Sequence, residues 1–330
     1  LQTTLNPDPM GTKKKQLKTE LLRRIQRNND RIIFNEMLIW YYIQDEDFKG
    51  AFTQARAVDS RYGENGRRIL EIASLSRANE DYETAIECYN YIIKHGPNGV
   101  NYTRAKLYLV TTLNEKILTK KDYTDDDLQM LESEYAKTLK EFGKNQNTVS
   151  IVMEYAHLLS SYLNRSEEAQ VLLEEALAYP RMNPSDLAEC KLLLGDILLI
   201  KGEIWEASLL YSQVEKAYKY DHYGEIAKYK NAKISFYTGD FQWAKTQLDV
   251  LKGSTSRLIS NDAMSLSLLI NDNTVFDTIA TALEIYARAD LLFSRQQFDE
   301  SLTLLKEIED IYTTHSIMEE SLFLQYKIQM

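Results

Sequence analysis

The residue types that most often carry enzyme or metal chemistry are few and scattered in this sequence. It contains four histidines and two cysteines, and it lacks the patterns GxxxxGK[ST], HExxH, GxSxG and CxxC. Glu154 and His157 have the Glu-x-x-His spacing that places both side chains on one helical face, as in di-iron bundles. Such a site needs a second Glu-x-x-His on a facing helix, and the sequence has none. We therefore predict no enzyme, no catalytic residues, no metal site and no cofactor.

Composition indicates a folded, helix-rich chain. Of its 330 residues, 44% are hydrophobic and 27% are charged, with only 12 glycines and 5 prolines. The formal net charge of −10 argues against nucleic acid as a partner, because nucleic-acid-binding proteins present a basic face to the phosphates. No apolar run approaches the ~20 residues that a membrane span needs. We expect a soluble chain, and its compartment, periplasmic or cytoplasmic, stays open.

The elements that must position any site are helices arranged in repeats. The phrases Gly202–Ala207 (GEIWEA) and Gly239–Ala244 (GDFQWA) begin 37 residues apart, and each reads as a turn between two amphipathic helices. Related phrases end at Ala51 and Ala85, 34 residues apart. A single helix hairpin cannot bury its own apolar face, so these phrases predict an array of stacked hairpins.

The spacing of small and aromatic residues around these phrases resembles that of tetratricopeptide repeats, whose period is 34 residues. In that family a small residue closes the first helix of each hairpin, an alanine opens the second, an aromatic follows, and a proline ends the unit. The residues at these places are Ala73, Ala85, Tyr89 and Pro97; Ala156, Ala169, Leu173 and Pro180; Gly195, Ala207 and Tyr211; Ala232, Ala244 and Leu248; and Ala289, Ser301 and Leu305. The resemblance, which is to bacterial scaffold proteins of this family, implies an all-α chain. The expected architecture is a right-handed α-solenoid of antiparallel helix hairpins, a superhelix of the tetratricopeptide type.

The expected organisation is one continuous array. Residues 1–15 have no helical period and predict a disordered lead-in, and residues 16–330 predict a single solenoid. Within it, residues 99–147 predict an atypical hairpin with long arms. Residues 253–275 predict an insertion, which either carries binding or packs on the solenoid as a helical spacer. The pattern also predicts that the chain is part of a longer array, because Leu17–Asn28 reads as the second helix of a hairpin.

The resemblance implies a concave groove lined by the first helices of the hairpins, where partner peptides lie. It assigns ten partner-binding residues: Trp40, Arg77, His157, Tyr229, Lys233, Phe236, Tyr237, Tyr286, Asp290 and Phe293. The alternative is that the aromatic residues among them pack between helices. If the aromatic residues are anchors, at least two of a set of five should be exposed. The set is Tyr229, Phe236, Tyr237, Tyr286 and Phe293. A clamp for a terminal carboxylate, as some family members have, is not expected, since only Lys233 and Arg77 offer positive charge.

Two functions of different kinds follow from the resemblance. The first is a non-enzymatic protein–protein interaction scaffold that presents the groove to a peptide or protein partner. The alternative is a structural subunit of a bacterial cell-envelope assembly, periplasmic, which binds through edges and convex faces. The segment 316–330 favours self-association, because its apolar residues spread around nearly the whole helix.

Overall fold

The fold is all-helical throughout the part of the chain that the structure describes. A computed structural model describes residues 12–28, 31–119, 123–274 and 280–329, and in these ranges it contains 17 helices and no strand. The chain divides into two compact units, Leu1–Gly143 and Lys144–Met330. In each unit consecutive helices pack as antiparallel hairpins. The predicted all-α class and its helix hairpins are confirmed.

Unit 1 consists of one helix followed by three hairpins. The helix α1 packs on α2, and the hairpins pair α2 with α3, α4 with α5, and α6 with α7. The bounds are α1 Thr12–Arg27, α2 Ile32–Gln44, α3 Phe48–Tyr62, α4 Arg67–Ala78, α5 Tyr82–Ile93, α6 Tyr102–Thr119 and α7 Asp125–Phe142. Residues 12–15, expected in the disordered lead-in, are therefore helical, and residues 1–11 lie outside the described residues.

Unit 2 consists of four hairpins and two further helices. The hairpins pair α8 with α9, α10 with α11, α12 with α13, and α15 with α16. The bounds are α8 Val149–Ser161, α9 Ser166–Leu177, α10 Pro184–Lys201, α11 Ile204–Ala217, α12 His222–Tyr237, α13 Phe241–Leu251, α14 Arg257–Thr274, α15 Thr281–Ser294, α16 Phe298–Ile311 and α17 Met318–Gln329. We call the first helix of each hairpin its A helix and the second its B helix.

The repeated phrase forms the turn inside four hairpins, α2–α3, α4–α5, α10–α11 and α12–α13, and the chemistry of the turn explains the composition of the phrase. Gly239 has φ +81°, a left-handed conformation that costs glycine little. The next residue, Asp240, caps the B helix by accepting a hydrogen bond from the amide of Trp243 at 3.2 Å. Asp47 and Asp81 cap α3 and α5 in the same way. A left-handed residue followed by an N-cap therefore reverses the chain within two residues.

The small residues of the repeat pattern lie at close helix contacts, as predicted. Ala85, Ala207, Ala232 and Ala244 have no exposed surface, and Gly195 is buried. At Gly195 a β-carbon would lie 2.4 Å from Cε1 of Tyr211, well inside any real carbon contact. The A helix α10 can approach its B helix α11 this closely only because position 195 carries no side chain.

Residues 99–147 hold the hairpin with the longest arms in unit 1. Both α6 and α7 have 18 residues. Thr124 opens α7 with a capping box: its hydroxyl accepts from the Asp127 amide at 3.2 Å, and the Asp127 carboxylate accepts from the Thr124 amide at 2.9 Å. Unit 1 ends directly after this hairpin, at Gly143.

Within the segment 253–275, residues 257–274 form α14, residues 253–256 precede the helix, and residue 275 lies outside the described residues. One face of α14 is buried and packs on α13; it carries Ile259, Ala263, Leu266 and Ile270. These residues join the main hydrophobic core of unit 2. This face of α14 therefore packs on the array, as expected of a helical spacer.

Candidate functional site

The A helices α8, α10, α12 and α15 of unit 2 present a row of charged side chains, which we call the A-helix face. On α10, Asp196 accepts hydrogen bonds from the Tyr211 hydroxyl at 2.7 Å and from Nζ of Lys230 at 2.6 Å. Tyr211 is almost fully buried, and burial, followed by the charge of Asp196, raises the pKa of its hydroxyl. Because position 195 is a glycine, the Tyr211 ring fits against α10, and its hydroxyl holds the Asp196 carboxylate in place.

A second ion pair lies one helical turn along α12. Nζ of Lys233 is 3.5 Å from Asp290 on α15 and 5.2 Å from the centre of the Tyr237 ring. The Tyr237 hydroxyl shares a 2.8 Å hydrogen bond with the Ser294 hydroxyl. Burial works against the charged form of Lys233, but Tyr237 and Asp290 outweigh it, so the pKa of Lys233 is raised. Burial also raises the pKa of Tyr237 to about 12. At neutral pH Lys233 is therefore a fixed positive charge and Tyr237 is neutral.

These two ion pairs border one open cavity of about 260 Å³. Its lining comes from α10, α11, α12 and α15, and it consists of Asp196, Leu199, Ile200, Tyr211, Lys230, Lys233, Tyr237 and Ser294. The lining contains two lysines and the carboxylate of Asp196, and Asp290 pairs with Lys233 from outside the lining. The formal charges of the two ion pairs cancel. Charge pairs beside aliphatic surface can recognise a side chain or a peptide segment.

The aromatic residues proposed as anchors are mainly packing residues. Phe236 is completely buried and Tyr237 is 5% exposed, so neither presents its ring to a partner. Tyr229, Tyr286 and Phe293 are partly buried and pack against the same core. None of the five is exposed, so the expectation of at least two exposed anchors is not met. The physical reason is that α12 lies between α11, α13 and α15, and these neighbours cover its aromatic side.

His157 lies on α8 and is exposed, but the surrounding protein still shifts the pKa of its imidazole. Reduced solvation lowers its pKa, and the nearby charge of Asp196 opposes this effect only in part. The histidine is therefore mostly neutral at pH 7. No group of three or more His, Cys, Asp or Glu side chains suited to a metal ion occurs within the described ranges. Cys88 and Cys190 are buried free thiols, and burial raises the pKa of Cys190 to about 12.

Trp40 and Arg77 belong to unit 1 and are considered there alone. Trp40 on α2 is 41% exposed, in line with exposed Ile33 and Met37 at helical spacing. Arg77 on α4 pairs with Glu115 at 3.3 Å, and its guanidinium lies 5.8 Å from the centre of the Tyr108 ring. Trp40 therefore presents apolar surface, and Arg77 is engaged within its own unit.

Two contributors to the A-helix face of unit 2 were missed in the sequence. Lys230 precedes Lys233 by three residues, so helical spacing alone could have placed the two on one face. The turn after α15 gave no such signal: Arg295 donates to the carbonyl of Ile200 and Gln296 to that of Ser161, both at 3.5 Å. These contacts join residues 95 and 135 positions apart, far beyond one repeat.

No membrane-spanning candidate occurs among the helices of the described residues, since none combines the necessary length with the necessary apolarity. No protein-family model matches the chain, and no curated protein matches it.

Several solved structures are similar to this chain. A tetratricopeptide repeat protein from Parabacteroides merdae ATCC 43184 has a TM-score of 0.46 and 13% identity, over 79% of this chain and 99% of that one. PilW, a widely conserved type IV pilus biogenesis factor, has a TM-score of 0.47 and 14% identity, over 78% and 99%. Naa15/Naa10 bound to HypK-THB has a TM-score of 0.39 and 13% identity, over 99% of this chain and 54% of that one.

These three scores are below 0.5, so the assignment of the fold rests on the chain's own helices. Three observations support it: the period between Gly202 and Gly239, the capped turns, and the small residues at helix contacts. By these features the chain is an all-helical repeat array that resembles the tetratricopeptide-repeat family.

Proposed function

We propose that this chain is a non-enzymatic protein-interaction scaffold and that the A-helix face of unit 2 binds a segment of a partner protein. The observation that carries the proposal is the row of two ion pairs, Asp196–Lys230 and Lys233–Asp290, beside the 260 Å³ cavity. The row runs across three A helices, so a partner that crosses them meets both signs of charge in a fixed order.

The energetics of the row favour recognition over stability. Partly exposed ion pairs of this kind contribute only ~0–1 kcal/mol to folding. Charged groups placed in a fixed pattern instead select partners and orient them. Leu199 and Ile200 add aliphatic surface to the cavity, which suits an apolar side chain of the bound segment. The segment that fits best has both acidic and basic residues around one apolar residue.

In unit 1 we propose Trp40 as a partner contact, with Ile33 and Met37 beside it. The three side chains follow one stripe of α2 at positions i, i+4 and i+7, and all are exposed. A tryptophan with this much free surface is typical of an interface anchor.

The test compares proteins captured from source cells by immobilised wild type and by Lys230→Glu. Reversing this charge disrupts the pattern on the A-helix face, so the captured proteins should be lost. The matched control is Lys306→Glu, the same change at an exposed position on α16, and it should capture the same proteins as wild type. Circular dichroism confirms that both variants are folded. Equal capture by both variants, or no capture by wild type, contradicts the proposal.

A structural assembly subunit is the second candidate, and the exposed face of α17 favours it. Leu322, Phe323 and Tyr326 are 50%, 57% and 57% exposed and lie next to one another on the helix. Contiguous apolar side chains of this size on a surface mark an interaction site. We propose self-association through this helix as the corresponding mode of binding.

Light scattering over a concentration series separates this candidate from the first. Wild type should gain mass with concentration, and Phe323→Glu combined with Tyr326→Glu should remain monomeric. Val171→Glu on α9 is the control, because Val171 is equally exposed but distant in sequence from α17. A wild type that stays monomeric at every concentration excludes self-association through α17.

A further inference from the structure

A groove on the B helices of unit 2 is separate from the A-helix face. It lies between α11 and α13, above α12, and consists of two adjoining cavities of about 430 and 310 Å³. Ser212, Glu215, Lys228 and Val250 line both cavities, so the two form one continuous space. We call it the B-helix groove.

The floor of the B-helix groove is polar. Asn231, on α12, is 8% exposed. Its carboxamide accepts from the Ser208 hydroxyl at 3.0 Å and donates to the Ser212 hydroxyl at 3.1 Å. Beside it, Ser235 accepts from the Gln247 amide at 3.0 Å. Each hydroxyl and amide in this set keeps further donor or acceptor capacity.

The preceding repeat shows that this polarity is not required for folding. The 37-residue period places Leu194 and Leu198 where α12 has Asn231 and Ser235. Both leucines are buried, at 4% and 6% exposure. An apolar residue therefore fills the same place in the array, and it stabilises the packing better than a buried amide does. The polar floor has to be explained by something other than helix packing.

The walls of the groove are apolar on one side and basic at one end. Trp243 and Val250 of α13 are 55% and 63% exposed and line the wall. At the end near the last turn of α11 lie Lys216 and Lys219, and neither forms an ion pair with any described residue. Lys228 is compensated by Glu215 at 3.4 Å. Glu225 lines the same cavity and accepts from the Thr255 amide at 3.0 Å. Two lysines therefore face one carboxylate at this end, and the net positive charge attracts an anionic group.

We propose that the B-helix groove binds an extended segment of a partner protein that carries an acidic residue at one end and an apolar side chain near its middle. Extended backbone exposes N–H and C=O groups that the hydroxyls and amides of the floor can satisfy, whereas a helix satisfies its own. From Ser208 to Lys216 α11 rises ~12 Å, which matches about four extended residues. Trp243 and Val250 contact the apolar side chain, and Lys216 and Lys219 contact the acidic one.

The test selects peptides from a displayed library of random heptapeptides on wild-type protein and measures their affinities by the fluorescence anisotropy of labelled peptides. The decisive variant is Asn231→Leu combined with Ser235→Leu, which copies the preceding repeat. It should keep or raise the Tm and weaken selected peptides at least about tenfold, because their backbone loses its partners. Lys216→Glu and Val250→Ser should weaken them similarly.

Matched controls separate the groove from general surface effects. Lys306→Glu and Val171→Ser make the same changes at exposed positions on α16 and α9, and they should leave peptide affinity within twofold. Selected peptides should also be insensitive to Lys230→Glu on the A-helix face. Selection that yields no peptide, or peptides that bind the double leucine variant as tightly as wild type, overturns the proposal. A lower Tm with unchanged affinity assigns the polar floor to folding instead.

Discussion

Gly195→Ala tests the close contact on which the hairpin of α10 and α11 depends. The added methyl group would lie 2.4, 2.9 and 3.0 Å from three carbons of the Tyr211 ring. That ring cannot turn away freely, because it is 1% exposed and its hydroxyl is bonded to Asp196 at 2.7 Å. The substitution therefore forces either the ring or the helix to move.

Two opposing effects determine the magnitude. Alanine is favoured over glycine inside a helix by ~1 kcal/mol. Overpacking of a filled core costs ~1–3 kcal/mol, and a contact of 2.4 Å with a held ring belongs in the upper half of that range. The steric effect wins, and we expect a net loss of ~1–2 kcal/mol. For a unit of this size the Tm should fall by roughly 2–8 °C.

A double-mutant cycle with Tyr211→Leu isolates the contact. In the leucine background the ring carbons nearest Gly195 are absent, so Gly195→Ala should be neutral or stabilising by up to ~1 kcal/mol. The measurement is urea unfolding of the four proteins, followed by circular dichroism. If Gly195→Ala stabilises the protein with Tyr211 in place, or is equally destabilising in both backgrounds, the close contact is not what position 195 provides.

Three further predictions concern charge, capping and packing. His157→Gln should reduce the loss of Tm between pH 7 and pH 5. The pKa of His157 in the folded protein lies below its unfolded value of ~6.5, so the unfolded chain takes up the proton first and stability falls as the pH falls. An unchanged dependence of Tm on pH contradicts this reasoning. Thr124→Ala should destabilise unit 1 by ~0.5–2 kcal/mol in urea unfolding, because the amide of Asp127 loses its acceptor, and Thr103→Ala, outside any capping box, is the control. Ala207→Leu should cost ~1–3 kcal/mol at a fully buried helix contact, and a neutral effect on thermal unfolding means that this helix contact is misassigned.

The sequence by itself determined the local elements. In the turns before α3, α5 and α13 the left-handed residue and the aspartate cap are adjacent in the chain, so the phrase around Gly239 and Asp240 reveals the turn directly. The small residues at positions such as Ala207 recur with the period of the hairpins, and their burial follows from that recurrence. A comparison of the repeats would also have identified Asn231 as a polar residue at a position where the preceding repeat has a leucine.

The composition of the A-helix face was decided only by the tertiary structure. Helical spacing shows which side of α12 carries Phe236 and Tyr237, but not that neighbouring helices cover that side completely. The pairs Asp196–Lys230 and Lys233–Asp290 join residues 34 and 57 positions apart, and α14 lies between the two hairpins of the second pair in sequence. A helix exposes each of its faces to a different neighbour, and the identity of that neighbour is set by how the hairpins stack. Because stacking is a property of the packed array, no single repeat carries the information that separates a groove residue from a core residue.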